Sequence, residues 1–162
     1  MQTYTCIHLK IKPYVKQYFE FVFGKPCDFP NKYLFNLLLH RLLSKVPADY
    51  IPKPIDMDDP ELISIILPYY SDKDIRYYNY LSETAQEILR SKMRDELYLQ
   101  LKLYVRKFMC DEFRKQENNR PYVNIAIRMF IDEHGMDPTC FDTLIRQCNR
   151  SEIKKNAKKS LI

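Results

Sequence analysis

Glycine and tryptophan are almost missing from this 162-residue chain, which holds two glycines, Gly24 and Gly135, and no tryptophan. Both glycines follow an apolar helical pattern, where a left-handed helix cap favours glycine. None is left for a phosphate-cradling loop, so Walker-type and dinucleotide-binding folds lack their backbone chemistry. Paired cysteines are also missing. The five present, Cys6, Cys27, Cys110, Cys140 and Cys148, are odd in number and scattered without a C-x-x-C pair. That spacing argues against a disulfide framework and for a reducing compartment, so a cytoplasmic location is expected. The three histidines, His8, His40 and His134, lie far apart and lack zinc-ligand spacing. No apolar run approaches the ~18 residues of a membrane span, and Met1–Lys10 has no signal-peptide core. No cofactor, resident metal or membrane partner is expected.

What remains is a globular composition. Hydrophobic residues make up 46% and charged residues 29%, too apolar for a disordered chain. The length suits one ordinary domain or two very small ones. The formal net charge of +5 is unevenly spread. Residues 1–45 carry seven Lys and Arg against two acids, whereas residues 46–82 carry three against seven. After residue 142, Arg146, Arg150, Lys154, Lys155, Lys158 and Lys159 face only Glu152. Two basic ends thus flank an acidic middle, and basic ends attract phosphate through counterion release.

Periodicity predicts the elements. Tyr4–Lys12 alternates Ile7, Leu9 and Ile11 with His8, Lys10 and Lys12, a strand apolar on one side and cationic on the other. Pro13 opens a helix to Phe23, with Tyr14, Tyr18, Phe21 and Val22 as its apolar stripe. A second helix is expected from Pro30 to about Lys45, with Leu34, Leu37, Leu38, Leu42 and Leu43 on a face wide enough for burial on two sides. The proline- and acid-rich stretch 46–60 reads as linker, Leu62–Leu67 as a short strand and Pro68–Leu81 as an irregular tyrosine-rich segment. Ser82 is a candidate N-cap for a long helix to about Lys115, with a break expected near Ser91 and with Ala85, Ile88, Leu89, Leu97 and Leu101 at helical spacing. Pro121 opens a further helix, Gly135 ends it, and Asp137–Pro138 starts a last one.

The fold class expected is α+β and mostly helical. An N-terminal strand–helix–helix unit precedes a C-terminal helical bundle that ends in a helix-turn-helix-like hairpin. The expected divisions are 1–46, a linker at 47–81 and a helical unit with a basic tail at 82–162.

The order of elements over residues 4–45 resembles the ribbon-helix-helix DNA-binding proteins. The resemblance implies that two chains pair their strands and place the ribbon in the major groove of double-stranded DNA, so that a homodimer is the acting form. Cys6, His8, Lys10 and Lys12 would then point at bases or phosphates, and Ile7, Leu9 and Ile11 at the core. The turn from Gly24 to Phe29 is longer than that family's inter-helix turn. At 121–150, a helix–Gly–x–x–helix pattern resembles small helix-turn-helix proteins of bacterial prophages and mobile elements. Thr143, Arg146, Gln147 and Arg150 fall on one outward face at spacings of three and four, and Arg and Gln make bidentate contacts to base edges. Lys154 and Lys155 would add phosphate contacts without sequence choice.

The expected function is therefore non-catalytic DNA binding, as a regulator or accessory factor. Two other readings compete. Asp56, Asp58, Asp59 and Glu61 could hold Mg²⁺ as nucleases do. Alternatively the chain is a protein-interaction or assembly module, with the tyrosines between Tyr69 and Tyr80 as its contact surface.

Overall fold

The computed structural model describes residues 5–52, 54–109 and 120–149. The chain is α+β and mostly helical, as its patterning predicts. The described elements are β1 (Cys6–Lys10), α1 (Pro13–Phe23), α2 (Leu34–Leu42), β2 (Leu62–Ile66), α3 (Glu83–Phe108) and α4 (Arg120–Glu133), then a 3₁₀ turn at Pro138–Cys140. Residues 141–149 form a further helix, α5. Two compact units emerge, residues 1–93 and 94–162, with α3 running through the boundary. The first boundary suggested by sequence, near residue 46, is crossed by strand pairing.

In residues 1–93, β1 and β2 pair antiparallel, with Cys6 opposite Ile66 and His8 opposite Ser64. Ile11 N–H donates to the Glu61 carbonyl at 2.7 Å, and Leu67 N–H to the Thr5 carbonyl at 2.9 Å. Odd-numbered residues of β1 therefore bond to β2, and the backbone groups of Cys6, His8 and Lys10 face the opposite edge. Ile7, Leu9, Ile63 and Ile65 are buried on one face of the sheet. Cys6, His8, Lys10 and Ser64 share the other, more open face. Cys27 extends the far side of β2: it donates to the Ser64 carbonyl at 2.8 Å and accepts from Ile66 at 2.9 Å.

Pro13 supplies the fixed φ at the start of α1, and Gly24, at φ 85°, follows its end. The buried stripe of α1 is Val15, Tyr18 and Phe19. Phe21 and Val22, expected inward, are exposed. Phe19 sets this phase, because its ring meets Phe29 and Phe35 edge-on at 6.2 and 5.5 Å and stacks on Phe23 at 5.7 Å.

The sequence overestimates the length of α2 and misplaces part of its face: Leu43 is buried as expected and Leu38 and Leu42 are half-buried, but Leu34 and Leu37 are not inward. Pro30–Tyr33 closes as a turn (Tyr33 N–H to the Pro30 carbonyl, 2.8 Å), and past Leu43 the chain pairs Ser44 with Tyr80. Phe35, Asn36 and Leu39 are the buried residues of α2, whereas Leu34 and Leu37 are 64% and 57% exposed. Asn36 explains the rotation. Its buried amide donates to the carbonyls of Phe29 at 2.6 Å and Pro30 at 2.9 Å, so the polar residue turns inward to satisfy the loop. The leucines opposite it are carried outward.

Ser82 caps α3, its hydroxyl accepting from Ala85 N–H at 3.2 Å. The helix passes Ser91 without the break expected there. Leu89, Met93, Leu97 and Leu101 are buried at intervals of four, while Ile88 is exposed. In residues 94–162, α4 buries Ala126, Ile127, Phe130 and Ile131. The ring of Tyr104 meets Phe130 at 5.3 Å, and its hydroxyl donates to Glu133 at 2.7 Å. Gly135, at φ 58°, ends α4, and Met136 N–H reaches back to the Ile131 carbonyl at 3.0 Å. Asp137 then caps the next turn by accepting from Thr139 N–H at 2.8 Å.

Candidate nucleic-acid interface

β1 carries the first set of candidate residues. Cys6, His8 and Lys10 share the open face of the sheet, as alternation requires, but two of them are occupied. His8 Nδ1 and Ser64 Oγ share a hydrogen bond of 2.9 Å across the strand pair, and burial pushes the His8 imidazole below its usual pKa. The Lys10 ammonium lies 2.7 Å from Asp59 Oδ2. Their hydrogen bond raises the pKa of Lys10 and lowers that of Asp59, each partner holding the other charged. Lys12 is exposed.

The acidic middle of the sequence thus folds against its basic start. Buried Lys16 donates to the Asp59 carbonyl at 3.2 Å, and Glu61 and Asp56 add to the field around Lys10. At Lys10, charges far apart in sequence meet in space, because the turn leading into β2 brings Asp59, with Asp56 and Glu61, beside β1. Pairing also constrains a ribbon built from two copies. It would have to form along the outer edge of β1, where Arg90 Nε already donates to the Lys10 carbonyl at 2.8 Å.

The carboxylates weighed as a metal site serve the turns of this loop. Asp56 accepts from Asp58 N–H at 3.0 Å and Asp59 from Glu61 N–H at 2.8 Å, as turn aspartates do. Among the described residues no group of three or more His, Cys, Asp or Glu is gathered in a metal-binding arrangement. None of the described helices is long and apolar enough to cross a membrane.

The second set sits on α5. Leu144 is buried, and Phe141, Ile145 and Cys148 are half-buried. Arg128, one helix back, lays its guanidinium over the Phe141 ring at 4.1 Å. Asp142, Arg146 and Asn149 are exposed at spacings of four and three, with Thr143 and Gln147 half-buried beside them. The helix–Gly–turn–helix layout read from the sequence is present. Its outward residues are polar and of types that reach base edges. Arg150, Lys154, Lys155, Lys158 and Lys159 lie outside the described residues.

The tyrosine-rich segment is irregular, as expected, and much of it is pinned to the α2 end of the unit. The Tyr70 hydroxyl donates to the Asn36 carbonyl at 3.0 Å. His40 Nε2 lies 2.8 and 2.9 Å from the two oxygens of Asp72, with the Tyr70 ring 4.7 Å from its own. Lys73 donates to the carbonyls of His40 and Leu43, capping the end of α2 where cations are favoured. Tyr69 and Tyr77 remain exposed.

Sequence reasoning missed the outward leucines of α2 as surface residues. The available signal was Asn36, one polar residue inside a leucine run and directly after the turn it serves. The chain matches no known family profile, no curated protein and no solved structure.

Proposed function

We propose that this protein is a non-catalytic DNA-binding accessory factor whose contact to the duplex is made by the C-terminal helical hairpin rather than by β1. The observation that carries this reading is the outward face of α5, where Arg146 stands exposed between Asp142 and Asn149, with half-buried Thr143 and Gln147 beside it and Leu144 buried beneath. Arg reads guanine bidentately and Gln reads adenine, and a helix offers both at groove spacing. Arg150, Lys154 and Lys155 continue the polar, basic character of the sequence beyond α5 and supply phosphate contacts. The cancellation of charge at Lys10 is the reason for setting β1 aside as the main contact.

Fluorescence anisotropy of labelled duplex DNA, titrated at several salt concentrations, tests the proposal. Binding should weaken linearly on a log–log plot against salt. Arg146→Ala should reduce affinity by roughly 5- to 150-fold, the equivalent of about 1–3 kcal/mol for a base contact. Replacing Lys154 and Lys155 together by Ala should lower the salt slope by about two. Absence of salt-sensitive binding, or an Arg146→Ala variant that binds like the parent, would defeat the reading.

A further inference from the structure

We infer that the outward face of α2 is a docking surface for an acidic amphipathic helix of a partner protein. Leu34 and Leu37, three apart, are both more than half exposed, and Leu38 is half-buried beside them. One turn beyond Leu37, on the same stripe, Arg41 is exposed. Lys32 is exposed just ahead of the helix. α2 itself contains no acid, though Asp72 meets its His40, and over residues 25–48 Lys25, Lys32, Arg41 and Lys45 stand against Asp28 alone. A helix that presents leucine on its solvent side as well as in the core has the pattern of one buried on two sides.

Charge chooses the occupant. A second copy seated on the same face would bring Lys32 and Arg41 of one chain against those of the other, and like charges across an interface oppose pairing. A bilayer surface suits the cations, yet α2 is only nine residues long and turns its other face into the core. That leaves two leucines more than half exposed, far less than the apolar face of an interfacial helix. A partner helix with leucines at positions i, i+3, i+4 and i+7, flanked by Glu or Asp, matches both the stripe and its cationic ends. Docking of this kind is independent of the C-terminal contact to DNA.

The test uses the full chain and two fluorescein-labelled synthetic helices with the same leucine spacing, one flanked by Glu and one by Lys. Anisotropy should show the Glu helix binding at least tenfold more tightly than the Lys helix. Leu37→Glu and Leu34→Glu should abolish that binding while leaving the circular dichroism spectrum and thermal midpoint intact. Arg41→Glu should reverse the preference between the two helices, and Arg146→Ala should leave it unchanged. Equal affinity for both helices, or no binding of either up to millimolar concentration, overturns the inference. So does binding of phosphatidylserine-containing vesicles in place of the Glu helix, or a self-associated species that Leu37→Glu dissolves.

Discussion

Lys10 Nζ and Asp59 Oδ2 meet at 2.7 Å across 49 positions of sequence, joining the basic start of the chain to its acidic middle. A cation held in this way is not available to a phosphate at full strength. Removing its partner should restore it. Asp59→Asn is expected to raise affinity for duplex DNA of random sequence and to steepen the log-affinity against log-salt slope by about one. Lys16 keeps its hydrogen bond in this variant, because its acceptor is the backbone carbonyl of residue 59. An unchanged slope in the anisotropy titration would show that β1 makes no phosphate contact even when unmasked.

The two faces of α2 should respond differently to truncation. Leu39 is fully buried, so Leu39→Ala removes packed methyl groups and leaves a cavity, at a cost of about 2–5 kcal/mol in urea unfolding. Leu37 faces solvent, and Leu37→Ala should stay within about 0.5 kcal/mol of the parent. Similar losses at both positions would mean that the outward leucines are packed in solution.

His8 should leave a signature in the pH dependence of stability. Burial depresses its folded-state pKa below the unfolded value, so the unfolded chain binds the extra proton first as pH falls. Its contribution to stability is fully present above the unfolded pKa of about 6.5 and is lost as pH drops through the folded value. Urea midpoints for the parent and for His8→Gln should therefore differ by a constant amount between about pH 7 and 9, and converge below about pH 6.5. A difference that is flat through this range would place the His8 ring in water.

β1 takes its strand partner from its own chain, so forming the sheet requires no second molecule. The thermal midpoint should be the same at one micromolar and at one hundred micromolar protein, since an obligate dimer would melt at a concentration-dependent temperature. A midpoint that climbs with concentration would point instead to pairing of copies along the outer edge of β1.

Much of the local structure was legible because it is written in short-range chemistry. Pro13 and Gly24 bracket α1, Ser82 caps α3, and Gly135 with Asp137 and Pro138 turns the C-terminal hairpin, all as their neighbours in sequence indicate. The strand at Leu62–Ile66 also shows in its isoleucines. What sequence concealed is set at long range. The phase of α1 depends on Phe19 meeting Phe29 and Phe35, and the phase of α2 on Asn36 satisfying two loop carbonyls. Neither can be read from a helical wheel. On the candidate interface, alternation placed His8 and Lys10 together on the open face of the strand. It could not reveal that Ser64 and Asp59 would be waiting there.

The pairing of Cys6 with Ile66 sets an order of events for the newborn chain. β1 leaves the ribosome before β2, its hydrogen-bonding partner, has been made. Until then Ile7, Leu9 and Ile11 travel as an unpaired, oily edge, the kind of segment that chaperones shield and that aggregates when left alone. A fragment cut at residue 45, which looks self-sufficient on paper, would carry this liability permanently, whereas one extended past β2 would be relieved of it.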